Sequence, residues 1–140
     1  MTSQDSGWHG RGKTTSGEPE TTELPGYLVA MVRRVPTAGA PVVAGSTPVV
    51  AFGDPSRAEV ATLGINPSAR EFVADGMLLD GDYRRLATLS SLGARRLDRL
   101  TDAQVAAVVA ECASYFWRNP YRGWFDPLEH LLRVGAGSSY

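Results

Sequence analysis

The sequence predicts an α/β domain in which a short, mostly parallel sheet is flanked by helices. Three observations predict it. The run over residues 60–65 is apolar on both faces except for Thr62, the pattern of a strand covered on both sides. A second apolar run, Val49-Val50-Ala51-Phe52, stops at Gly53-Asp54-Pro55-Ser56, a turn sequence. Beyond residue 80 the chain turns to capped segments with helical spacing.

The bulk properties narrow the function classes. A chain of 140 residues makes one domain, and a formal charge of −1 gives no global attraction to nucleic acid or membrane. The single cysteine, Cys112, excludes an internal disulfide, a cysteine zinc site and a four-cysteine iron–sulfur cluster. His9 and His130 lie far apart in unlike contexts, so a metal site would have to be built from carboxylates, and no such cluster is visible. No metal and no cofactor is therefore expected. The chain has no apolar run of membrane-spanning length and no apolar stretch near its start, so a cytoplasmic protein without membrane contact is expected.

Residues 1–23 are rich in Ser, Thr, Gly and charge, and read as a disordered polar tail. Within it, Gly7-Trp8-His9-Gly10-Arg11-Gly12-Lys13-Thr14 fits the phosphate-loop string, but no buried strand feeds it and no helix opens after it, which the loop requires. The domain is expected over 24–140. Leu24, Leu28, Met31, Val32 and Val35 repeat at helical spacing up to Pro36, and a Pro/Gly/Ala connector leads to residue 48. After the two strands, Asp82 can cap a helix from Tyr83 to about Ser91, with Gly93 as its stop. Thr101-Asp102-Ala103-Gln104 is a capping box, and the helix it opens should bury Val105, Val108, Val109, Cys112 and Phe116 on one stripe. On that stripe Cys112 reads as a small core residue rather than a reactive thiol. Asp126-Pro127 opens a last helix with Pro at its first position, Leu128, Leu131 and Leu132 on its inner face and Gly135 at its end. His130 there reads as a structural or surface residue.

The chemistry concentrates in Gly64-Ile65-Asn66-Pro67-Ser68, which ends the second strand. Open α/β sheets bind ligands at such carboxyl edges. Gly64 permits close approach of a ligand to the backbone, and Pro67 holds Asn66 extended. An amide has no useful pKa and cannot act as a true general base, but it can position a water or read a base edge. The plainer alternative is a strand-ending turn in which Ser68 caps the next segment.

Val60-Ala-Thr-Leu-Gly-Ile-Asn-Pro-Ser68 resembles the first motif of the uracil-DNA glycosylase superfamily, G-Q-D-P-Y in uracil-specific members and G-I-N-P-G in mismatch-directed ones. The resemblance implies a three-layer sandwich and hydrolysis of the N-glycosidic bond of uracil or a mismatched base, reached by flipping that base out of DNA. It places Asn66 where the water-positioning residue stands, and the backbone N–H of Ile65 opposite a base carbonyl. Gly64 and Pro67 complete that wall of the pocket. Ser68 takes the place of the tyrosine that excludes thymine.

The chain also departs from the motif set. Met77-Leu78-Leu79 occupies the region of the family's stacking aromatic, leaving Phe72 as a substitute or as a core residue. No late histidine loop follows Gly135, and only two strands are credible where the family has four. These gaps imply the N-terminal portion of a longer glycosylase-like chain, an incomplete sandwich with weak or absent activity, and self-association through an unpaired sheet edge. The alternative function is a catalytically silent nucleobase- or nucleic-acid-binding or interaction module. Two further segments bear on binding. Arg84, Arg85, Arg95 and Arg96 could contact phosphates, or form a solvated helical face. The aromatic segment from Tyr115 to Phe125 could stack bases, or plug the junction of two helices.

Overall fold

The computed structural model describes residues 23–59, 61, 67–137 and 139. Three α-helices, α1 (Gly26–Val32), α2 (Asp102–Ala113) and α3 (Arg122–Ala136), carry the regular structure, joined by irregular chain and short 3₁₀ turns. The only sheet among the described residues is an antiparallel pair, β1 (Val73–Ala74) and β2 (Met77–Leu78), with Val73 opposite Leu78 and Ala74 opposite Met77. The expected three-layer α/β sandwich with its mostly parallel sheet is therefore not the fold. The domain is mostly helical, with one tiny antiparallel hairpin. Of the strand expected over 60–65, only Ala61 falls within the described residues, and it is not in a strand.

The hairpin follows from two residues. Asp75 and Gly76 both have positive φ, 50° and 77°, which is the type I′ geometry that matches strand twist. Asp tolerates this region better than most side chains, and glycine adopts it without a Cβ penalty.

Helix α2 forms as its sequence dictates. Thr101 Oγ1 accepts from Gln104 N at 3.2 Å, while Gln104 Oε1 accepts from Thr101 N at 2.8 Å, closing the capping box. Val105, Val108 and Cys112 are buried, and Val109 and Phe116 pack partly buried against them. Burial pushes the Cys112 thiol pKa up, which suits an inert core residue. Helix α1 is fastened to the start of α2 through Arg33, which donates to Leu100 O at 3.0 Å and to Asp102 Oδ1 at 2.7 Å.

Two expected elements are absent for identifiable reasons. Residues 49–52 pack against the core through Val49, Val50 and Phe52 but find no strand partner among the described residues. The segment instead ends on α2, where Gly53 N donates to Cys112 O at 3.0 Å. Gly53 has φ 89°, and a Cβ there would sit 3.2 Å from the Phe116 ring, so glycine is needed twice over. The helix expected from Tyr83 to Ser91 does not form: Tyr83 closes a 3₁₀ turn, residues 84–88 are irregular with a single bridge at Thr88, and a turn follows over 89–93. Leu89 N donates to Gly45 O at 2.8 Å, Ser46 bridges Thr88, and Thr47 Oγ1 donates to Ala87 O at 2.7 Å. Pairing with residues 45–47 satisfies the backbone while it buries Leu86, Ala87 and Thr88.

Helix α3 begins one turn before Asp126, so Pro127 lies inside it rather than at its first position. Proline there forgoes one intrahelical hydrogen bond. Burial of Phe125 within an aromatic cluster offsets that loss, its ring lying 5.2 Å from Phe52 and 4.9 Å from Phe116. Gly137, with φ 64°, ends the helix, not Gly135. Leu128 and Leu132 are half-buried, and Leu131, expected on the same face, is exposed. None of the helices formed by the described residues is long and apolar enough to cross a membrane.

Candidate functional site

Gly64, Ile65 and Asn66 lie outside the described residues. The geometry of the site therefore begins at Pro67 and Ser68, both exposed. Ser68 caps the 3₁₀ turn Ala69–Glu71, its Oγ accepting from Arg70 N at 3.2 Å. This short turn aims successive side chains in different directions. Arg70 points outward, while Glu71 and Phe72 point in.

Phe72 is 5% exposed and belongs to the hydrophobic core. Of its two readings, wall of a base pocket or core residue, its burial is that of a core residue. Glu71 is 2% exposed, and its Oε2 accepts from Tyr115 Oη at 2.6 Å. Burial raises the Glu71 pKa, against the opposing pull of the Tyr115 hydroxyl and of the Arg85 charge. Burial likewise raises the Tyr115 pKa, and the carboxylate at its hydroxyl adds to the rise, so Tyr115 stays the donor. Tyr115 Oη in turn accepts from Tyr121 N at 2.8 Å. One buried chain of hydrogen bonds thus runs from the turn after the pentapeptide to the start of α3.

Above this chain lies a cationic surface. Arg70 Nη1 donates to Tyr121 Oη at 2.9 Å. The guanidinium carbons of Arg70 and Arg85 lie 5.6 Å and 5.7 Å from the Tyr121 ring centroid, within cation–π range. Arg85 donates from Nε to Asn119 O at 3.0 Å and from Nη1 to Arg70 O. Arg84 stands beside them, bonded to Glu111 Oε1 at 2.7 Å, and the same carboxylate takes Arg118 at 3.1 Å. Asn119 Nδ2 donates to Tyr83 O at 3.3 Å, tying this loop to the start of the arginine segment.

No known family model matches the chain, and neither does any curated protein or solved structure.

The four arginines singled out from the sequence separate into two environments. Arg85 joins Arg70 and Tyr121 at the loop before α3, and Arg84 reaches that loop only through Glu111, which also takes Arg118. Arg95 and Arg96 line a different surface with Val35, Val42 and Leu97. Sequence reasoning missed Arg70, Glu71 and Tyr121 as members of one cluster. Arg70 and Glu71 sit four and five positions after Asn66, but only the fold brings residues 115–121 against them. Within the aromatic segment the two expected roles divide by residue. Tyr115 and Phe125 plug the helix junction, whereas Trp117 is 89% exposed. No group of three or more His, Cys, Asp or Glu able to hold a metal occurs among the described residues.

Proposed function

We propose that the chain binds nucleic acid through the face formed by Arg70, Arg85 and Tyr121, as a binding module of glycosylase type. One observation carries this reading. Two arginines whose side-chain hydrogen bonds go only to neutral groups converge over a tyrosine ring, and one of them, Arg70, stands two residues after the pentapeptide that resembles a glycosylase motif. Arg70 Nε and Nη2 and Arg85 Nη2 make no hydrogen bond to described residues, so each guanidinium keeps donors for a phosphate oxygen. Exposed Trp117 offers a stacking surface for an unpaired base, two residues before Asn119. In this reading phosphate contacts hold the strand while the exposed Pro67 and Ser68 meet the base.

The test is fluorescence anisotropy with a labelled single-stranded oligonucleotide across a salt series. Two phosphate contacts give a slope of about −1.4 for log K against log salt. Binding without salt dependence, or no binding at low salt, overturns the proposal. Hydrolysis is read in parallel as alkali-labile sites in G·U, G·T and single-stranded uracil substrates. Turnover abolished by Asn66→Ala would add catalysis to binding, whereas binding that survives Asn66→Ala without cleavage leaves the silent module.

Gly123 provides a finer test. A Cβ at this position in the first turn of α3 would stand 2.8 Å from Tyr121 Oη. Gly123→Ala should therefore push the Tyr121 ring off Arg70, while helix propensity gains up to about 1 kcal/mol. Oligonucleotide affinity is expected to fall severalfold with the thermal midpoint unchanged or raised. Unchanged affinity would remove Tyr121 from the interface.

A further inference from the structure

A groove of about 300 Å³ that shares no residue with the Tyr121 face lies between the chain leaving α1, the connector at residues 42–46, and the segment from Arg95 to Asp98. Its walls are mostly apolar, with Val35, Val42, Val43, Leu89 and Leu97 among them. Val35 and Val42 are 56% and 57% exposed, so the groove leaves aliphatic surface in water that an occupant would cover. Its volume is at the lower end for small-molecule sites.

The charges at its edge are unequal. Arg96 donates from Nε and Nη2 to the two oxygens of Asp98, at 2.9 Å and 2.7 Å, and this bidentate pair is electrically closed. Arg95 also lines the groove and has neither an ion-pair nor a hydrogen-bond partner among the described residues. One uncommitted guanidinium beside an aliphatic wall fits a ligand with one negative charge and an apolar body. A phosphate monoester carries more charge than a single cation matches, and an uncharged apolar molecule would leave Arg95 unused.

We propose that this groove is a binding site for a small amphipathic carboxylate, its acid on Arg95 and its branched or aromatic body against Val35, Val42 and Leu89. The site is separate from the Tyr121 face and does not depend on nucleic-acid binding.

The experiment is a methyl NMR titration of the full chain with 4-phenylbutyrate, and with 4-phenylbutanol as the uncharged counterpart. The acid should shift the Val35, Val42 and Leu89 methyls saturably with Kd of about 1 mM or tighter, and the alcohol should bind about tenfold more weakly. Arg95→Gln keeps a polar side chain of similar reach at an exposed position. It should weaken the acid about tenfold and leave the alcohol unchanged. Ala44→Trp, at an exposed lining position, should abolish binding of both by filling the groove. Equal affinity for acid and alcohol, an unchanged acid affinity in Arg95→Gln, or shifts that never saturate would each overturn the proposal. So would a dimer that covers these methyls and that the acid does not displace, since the occupant would then be a second copy of the chain.

Discussion

Replacing Tyr115 by Ala is expected to cost about 3–5 kcal/mol, the largest stability loss of any single substitution in the described core. Tyr115 is fully buried and its ring meets three others, with centroids 4.7 Å from Phe52, 5.2 Å from Phe116 and 5.6 Å from Phe125. The cavity left behind could not collapse easily, because these rings come from three different segments. Whole-domain stabilities are only about 5–15 kcal/mol, so the variant should be largely unfolded at 37 °C, roughly physiological temperature. Tyr115→Phe separates packing from hydrogen bonding. It keeps the ring but leaves the buried Glu71 carboxyl without its donor and Tyr121 N without its acceptor, and should cost about 1–3 kcal/mol. Urea denaturation followed by tryptophan fluorescence measures both. A loss below about 0.5 kcal/mol for Tyr115→Phe would mean that water replaces the hydroxyl at no cost and that the network adds nothing to stability.

The double substitution Arg70→Ala, Arg85→Ala is expected to lower single-stranded DNA affinity about ten- to a hundredfold at low salt and to flatten the salt dependence toward zero. The proper comparison is Arg57→Ala, Arg99→Ala, which removes the same charge from exposed positions outside the Tyr121 cluster. A long-range field effect would weaken both variants equally, whereas a contact surface at Tyr121 predicts that only the first pair matters. Because Arg85 also ties Arg70 O and Asn119 O together, the melting transition must be measured alongside. A variant that melts as the parent does and still binds normally would exclude this face.

How much of this was legible in the sequence differs from element to element. Helix α2 was legible in its cap and in Val105, Val108 and Cys112, which are local causes, but Phe116, expected on the same stripe, lies past the helix end in a 3₁₀ turn and is only half-buried. The β1–β2 hairpin was legible in principle, because Asp75-Gly76 is a strong two-residue turn signal, but the apolar runs upstream claimed the strand assignments. The segment 83–91 was not. Its Asp82 cap and Gly93 stop read as helix signals, yet its backbone bonds to residues 45–47, some forty positions away, and no local pattern announces that partner. The start of α3 was misplaced for a similar reason. Pro127 favours a first-turn position, and only the burial of Phe125 among rings from elsewhere extends the helix backward past it.

By itself, then, the sequence determined the elements whose causes lie within a few residues of one another: the capped α2 with Cys112 in its core stripe, and the Ser68 cap after the pentapeptide. It also determined the chemical types available, an amide at Asn66 and a surplus of arginine over residues 83–99. Tertiary structure alone decided which arginines act together. Arg70 and Arg85 meet over Tyr121, while Arg95 and Arg96 stand at a separate apolar groove. It also buried Phe72 and Glu71 and exposed Trp117. The physical reason is one of range. Capping and helical periodicity act over a turn or two of chain, whereas burial and charge pairing depend on which distant segments the core brings into contact.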